Sequence, residues 1–229
     1  MSLRVQSKPA VRLNAMQSME NLTRADIAPH TVRVLRAGKG VQSSVYLVEK
    51  NGARAAVKDY SAVRGAFRIL APWLLAREAK AMRALQGVAG IPRFYGRPDR
   101  FSLAMEYIEG TPLDTFHKGE LAPEVFIEAQ KTIDAMHERG VAHGDLKRRS
   151  NLLLTPTGEI YLIDFAASLV TGKFSPIKNW LQTQVALVDD KSVPRTKKFV
   201  APELLTDDDR LKLETPTALE KWARKLLNR

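Results

Sequence analysis

The sequence predicts an α+β chain of two lobes: a five-stranded antiparallel sheet carrying one helix, then a minimal, mostly helical lobe. Two patterns predict it. Short alternating apolar segments separated by turn residues fill residues 31–108, the mark of half-buried strands. Farther along, apolar residues recur at helical spacing instead. A length of 229 residues allows one sizeable core or two small lobes, but not several independent domains. Residues 1–28 are expected to be a polar, basic extension and 29–229 a single domain, its first lobe running to 108 and its second from 109.

Each element has a local signal. "TVRVLRAGKG", from Thr31, is a strand running into glycines, and "SSVYLVEK" is a second alternating strand. Asn51-Gly52 is a strong hairpin signal that turns the chain into a return strand, "ARAAVKDY". Pro72 suits the first turn of a helix, and "WLLAREAKAMRAL" continues it with Leu74 or Leu75, Met82 and Leu85 at helical spacing. "IPRFYGR" and "FSLAMEYIEG" complete the five strands. In "PEVFIEAQKTIDAMHERG" the residues Phe126, Ala129, Ile133 and Met136 share one helix face, and Gly140 stops it. A short strand "LLL", a turn over 155–158 and a strand "EIYLID" ending at Asp164 follow, and "NWLQTQVALVDD" and "TALEKWARKLLNR" read as helices. In the leading extension, Val11, Ala15 and Met19 form at most one short helical stripe.

Composition excludes several classes. Without cysteine there is no disulfide frame, thiolate chemistry or Cys-ligated metal, and the four histidines (His30, His117, His137, His143) lack metal-ligand spacing. Met1-Ser2-Leu3-Arg4 opens no secretory apolar run, and no stretch approaches 18 uncharged apolar residues. A cytoplasmic protein is therefore expected. The formal charge of +11 favours an anionic partner such as a nucleotide, a nucleic acid, a membrane surface or an acidic substrate. The lysines and arginines are spread widely and no nucleic-acid motif is present, so nucleic acid is the weakest of these.

Four segments carry the chemistry. "GKGVQSSV" (38–45) lies between the first two strands, with Gly38 and Gly40 where backbone N–H groups can approach phosphate oxygens. "AAVK" sets Lys58 on the third strand, and Glu78 follows on the next helix, on the side expected to face the sheet. "HGDLKRRSN" (143–151) is a turn rich in polar and basic groups. "IYLIDFAAS" ends an apolar strand in Asp164, a costly position for a carboxylate unless a cation compensates it.

In this order, on these elements, the segments resemble the protein-kinase-like superfamily over roughly residues 31–170, and the resemblance implies a bilobal kinase-like fold using ATP and Mg²⁺. It implies that Gly38, Gly40, Ser43 (replacing the third glycine) and Val45 cover the phosphates, and that Lys58, held by Glu78, contacts them. Met105, Glu106, Tyr107 and Ile108 would form the adenine hinge, with Val45, Ala56 and Leu153 as apolar walls. Asp145 would orient or deprotonate the acceptor hydroxyl, Lys147 would neutralise the transferring group, and His143 would brace the loop. Asp164 would bind metal. The second metal ligand belongs five residues after Asp145, where Ser150 stands; Asn151, one later, is the better hard-cation ligand and is the one chosen.

The resemblance is to a small atypical branch. Gly144 replaces the arginine of H-R-D, Ser43 replaces a glycine and the second lobe is short, as in RIO-type kinases and bacterial kinases related to those of the lipopolysaccharide core. Ala201-Pro202-Glu203 is read as a local turn rather than the A-P-E anchor, because fewer than thirty residues follow it. The expected acceptor is a protein Ser/Thr hydroxyl, with a lipid-linked sugar second. Ala166, in place of the D-F-G glycine, and the shifted Asn151 support a further reading as a pseudokinase or a module binding an anionic partner. The segment 61–77 mixes Arg64, Arg68 and Arg77 with Phe67, Ile69, Leu70 and Trp73. Its apolar side is expected to pack on the first lobe; the other reading is peripheral contact at the inner membrane surface.

Overall fold

The structure, a computed structural model, describes residues 17–172 and 175–227. The chain divides into two compact units, one formed by residues up to Ala79 with Arg93–Tyr107, the other by Lys80–Pro92 with the residues from Ile108 onward. The second unit takes in Lys80–Pro92, ahead of the expected division. One bond responsible is Leu162 N–H to Gly90 O, 2.8 Å.

The first unit holds a five-stranded antiparallel sheet in the order β1-β2-β3-β5-β4, from β1 (Thr31–Arg36), β2 (Ser44–Lys50), β3 (Ala53–Asp59), β4 (Phe94–Gly96) and β5 (Ser102–Glu106). Asn51 and Gly52 both have positive φ, 54° and 76°, as the two-residue turn between β2 and β3 requires. Because side chains alternate along strands, register sorts the sheet into two faces. Val45 pairs with Lys58 and Leu103 follows across; Leu47, Ala56 and Met105 form the next row on the same face. Val48 with Ala55, and Val57 with Ala104, point to the opposite face.

That opposite face is covered by residues of the expected polar extension. Residues 17–20 are helical and α1 spans Arg24–His30. Met19, Leu22 and Ile27 are buried in one cluster with Val48, Ala55, Val57 and Ala104. Ion pairs surround the cluster: Arg24–Asp59 at 2.7 Å, Lys50–Asp26 at 2.6 Å and Arg93–Glu20 at 2.8 Å. Through Met19, Leu22 and Ile27, segment 17–28 is thus packed into the first unit's core. Three apolar residues among many polar ones gave too weak a periodic signal to separate from a solvated segment. Val11 and Ala15 of the expected stripe lie outside the described residues.

The helix α2 spans Ala66–Ala84, with Pro72 inside it rather than in its first turn. Ala71, Leu75, Glu78 and Met82 are buried at helical spacing along it, with Ala79 and Ala81 beside them and Leu85 buried just past its end. The expected packing of segment 61–77 holds for Val63, Ala71 and Leu75, which are buried, and in part for Phe67, which is half-buried beside Tyr60. Ile69, Leu70 and Trp73 are exposed instead.

The second unit is built on α3 (Pro123–Glu138), which starts with proline in its first turn and buries Phe126, Ala129, Ile133 and Met136 as the periodicity predicts. It contains a three-stranded sheet of β6 (Thr111–Pro112), β8 (Leu152–Leu154) and β9 (Ile160–Leu162), and a two-stranded one of β7 (Val141–Ala142) and β10 (Leu169–Val170). The "EIYLID" strand ends at Leu162, two residues before Asp164. The helices α4 (Pro176–Asp189) and α7 (Ala218–Leu227) correspond to the expected closing helices. Between them lie two short helices not foreseen, α5 (Ser192–Val200) and α6 (Asp207–Glu214). Pro194 and the scarcity of apolar residues hide α5, while α6 begins with a reciprocal cap in which Thr206 and Asp209 exchange bonds of 3.1 Å.

If the leading segment is core, Ile27→Ala lowers the unfolding free energy by about 2–5 kcal/mol, read as a shift of the urea midpoint. A solvated extension would leave that midpoint unchanged.

Candidate active site

In the first unit, Lys58 and Glu78 meet as expected. The Lys58 Nζ donates to both Glu78 carboxylate oxygens, at 3.0 and 2.9 Å, with side chains only 5% and 2% exposed. Strand β3 delivers the lysine to the face shared by Val45, Ala56 and Met105, so alternation alone brings four of the expected residues to one surface. Val45 and Ala56 are half-buried there and Met105 is buried.

The turn between β1 and β2 is held from within. Gly38 N–H donates to Ser44 Oγ at 3.1 Å, and a Cβ on Gly38 would come within 2.5 Å of Gln42 O. Gly40 has φ of 60°. Ser43 is buried and accepts from Arg36 at 2.9 Å. At the other edge, Glu106 exchanges bonds with Arg93: its amide donates to Arg93 O (2.8 Å) and its carboxylate accepts from Arg93 N–H (3.1 Å). The Tyr107 hydroxyl accepts from Arg33 at 2.7 Å, and Arg54 lies 5.5 Å from its ring centre. Ile108, half-buried, begins the second unit.

In the second unit the loop 143–151 is fixed at three points. Asp189, 1% exposed, accepts the backbone N–H of His143 at 2.6 Å and of Gly144 at 3.0 Å. The His143 Nε2 meets Ile163 O at 2.9 Å, and its ring lies 4.8 Å from that of Phe165, which is also buried. Burial lowers the pKa of His143, against the opposing pull of the Asp189 charge. Gly144 has φ of 81°, and a Cβ there would meet Ala167 O at 2.8 Å; an arginine does not fit this backbone.

Asn151 rather than Ser150 turns inward. It is buried, and its Nδ2 donates to Asp145 O at 3.0 Å. Two successive tight turns, closed by Arg148 N–H to Asp145 O (3.2 Å) and Asn151 N–H to Arg148 O (3.0 Å), absorb the extra residue. Ile163 N–H then bonds to Asn151 O at 2.9 Å, linking this loop to the approach to Asp164. Asp164 is one of two non-glycine residues with positive φ among those described, at 66°; such backbone strain gathers at functional sites. Ala166 sits in a 3₁₀ turn over Phe165–Ala167 and needs no left-handed backbone, so the missing glycine is accommodated. Leu153, on β8, is buried.

Asp145 is partly exposed and pairs with Arg148 Nε at 3.2 Å, while Lys147 is exposed. No group of three or more His, Cys, Asp or Glu arranged for a metal occurs among the described residues. The Asn151 amide, the expected second ligand for a hard cation, is oriented by its Nδ2 bond to Asp145 O.

The protein kinase domain model matches residues 32–219. This chain belongs to the protein kinase domain family. It is 31% identical over 141 residues to serine/threonine-protein kinase PknH of Mycobacterium bovis, covering 58% of this chain and 22% of that protein. It is 28% identical over 184 residues to serine/threonine-protein kinase Pkn1 of Myxococcus xanthus, covering 74% and 24%. Serine/threonine-protein kinase PEPKR2 of Arabidopsis thaliana is 31% identical over 141 residues, covering 58% and 27%. The matches span about a quarter of the length of these relatives.

In this kinase domain, Ala201-Pro202-Glu203 runs into a 3₁₀ turn at Pro202–Leu204, with Glu203 exposed. Asp189 is the site residue that reading the sequence missed. Its only signal was a carboxylate at the end of an apolar helix, "ALVDD", which looks like ordinary helix fraying. His137, in the last turn of α3, lies 3.6 Å from Asp189 and 3.4 Å from Asp190. Burial by itself would lower its pKa, but the two carboxylates outweigh it and raise the value from 6.5 to about 9.

The protonated His137 therefore contributes stability that is complete below pH 6.5 and is lost as pH rises through about 9. In denaturant unfolding across pH 6–10, the wild type should lose stability over that window, and His137→Gln should show no corresponding loss.

Proposed function

We propose that this kinase domain transfers the γ-phosphoryl group of ATP to a protein Ser or Thr hydroxyl. The reading rests above all on the buried Lys58–Glu78 pair. Burying two charges contributes little net stability, so their retention points to a use for a fixed positive charge. On this reading Glu78 orients Lys58 toward the nucleotide phosphates, the 38–45 turn covers them, and Met105, Glu106 and Tyr107 line the base with Val45 and Ala56.

Asp164 and Asn151 are the groups that would hold Mg²⁺, which supplies charge neutralisation between phosphates. Asp145 accepts the hydrogen bond of the incoming hydroxyl and takes its proton as the new bond to the γ-phosphorus forms. The bond from that phosphorus to the bridging oxygen breaks, and ADP leaves. Its present partner Arg148 has a side chain 69% exposed, and such surface pairs contribute about 0–1 kcal/mol, so an acceptor displaces it easily. Lys147 stands on the same loop to offset charge on the transferring group.

Relatives named serine/threonine-protein kinases support a protein acceptor. Gly144, Ser43 and the short second lobe support a place near the RIO-type and lipopolysaccharide-kinase-like members, and a lipid-linked sugar hydroxyl is the second reading. The exposed apolar residues of α2 favour it.

With labelled ATP and Mg²⁺, protein and lipid-sugar fractions should separate the two acceptors. Asp145→Asn and Lys58→Met should each reduce labelling about 100-fold or more with unchanged circular dichroism. Labelling that survives Asp145→Asn would remove Asp145 from the chemistry, and Mg-ATP binding without turnover on any acceptor would favour a pseudokinase. Asn151→Ala should raise the Mg²⁺ concentration needed for half-maximal rate, whereas Ser150→Ala should not; the reverse pattern would reassign the second ligand.

A further inference from the structure

We propose that the outward face of α2 is a docking surface for an anionic membrane. The helix has two faces. Leu75, Glu78 and Met82 are buried on one, while Ile69, Leu70 and Trp73 lie on the other, 80%, 51% and 60% exposed. Isolated exposed apolar residues are ordinary; a leucine, an isoleucine and a tryptophan sharing one face at i, i+1 and i+4 form a patch.

The charge around the patch selects its occupant. From Ser61 to Ala84, the approach to α2 and the helix itself, the chain carries five basic residues and one acidic one, Glu78, and that carboxylate is buried against Lys58. Arg77 lies 5.4 Å from the Trp73 ring centre, and Arg64 is exposed at the start of the helix. A second copy meeting this face would oppose two sets of like charges, which disfavours self-association. A protruding tryptophan and two aliphatic side chains bordered by arginines match an interfacial helix face. Its apolar residues enter the headgroup boundary while the cations meet anionic lipid. The proposal is independent of the acceptor.

The test is sedimentation of the full chain with vesicles of phosphatidylcholine alone or containing phosphatidylglycerol. Binding is expected to the anionic vesicles, to weaken with salt, and to fall at least tenfold in Ile69→Glu and Trp73→Glu. Arg64→Ser should weaken it less, and Trp222→Glu, on α7, should leave it unchanged. Tryptophan emission of a Trp180→Phe/Trp222→Phe variant should shift to the blue on anionic vesicles, reporting Trp73 directly. The substituted residues are exposed, so thermal melts should match wild type. No binding to anionic vesicles, binding abolished by Trp222→Glu instead, or a concentration-dependent dimer dissolved by Trp73→Glu would each overturn the proposal, the last assigning the face to a second copy.

Discussion

Two backbone N–H groups of the loop that carries Asp145 end on one carboxylate, that of Asp189. A buried carboxylate is tolerable only when its oxygens are satisfied, and here the loop itself satisfies them, with the cationic His137 nearby. The consequence runs outward from that point. Fixing His143 and Gly144 sets the His143 ring against Phe165 and Ile163 O and draws the backbone of Gly144 close to Ala167. The next turn leaves Asp145 partly exposed with Asn151 beneath it. The second unit's chemistry thus depends on a helix end that supplies no reacting group.

The first unit solves a different problem. A sheet with two apolar faces needs a cover on each, and the leading segment, through Met19, Leu22 and Ile27, covers the face away from Lys58. Asp59, the neighbour of Lys58 on β3, points to that covered side and is held by Arg24 and by the amide of Ser61. The strand bearing the lysine is therefore braced from behind by residues that composition alone would class as solvated.

Much of this was legible beforehand, and the reason is local. The Asn51-Gly52 turn, the alternation of β2 and β3 and the α3 periodicity are each encoded within a few residues, so the strands and main helices follow directly. The pairing of Lys58 with Glu78 was also accessible, because strand parity and helix face together restrict where each can point. Boundaries were less so: α2 begins six residues before Pro72, since a proline in the second turn removes only one helical bond while neighbouring packing keeps the rest.

Asn151 and Asp189 mark where local reading stops. The sequence by itself determined which residue types are available at the loop, the strand end and the third strand, because those motifs are short and contiguous. Whether Ser150 or Asn151 turns inward depended on how two successive turns take up an extra residue. The role of Asp189 depended on a contact 46 positions distant in the chain, and the outward turn of Ile69, Leu70 and Trp73 on which helix face the sheet could accept. Such choices are made by burial and hydrogen-bond satisfaction across the whole unit, where residues far apart in the chain compete for the same space, and only the tertiary structure resolves them.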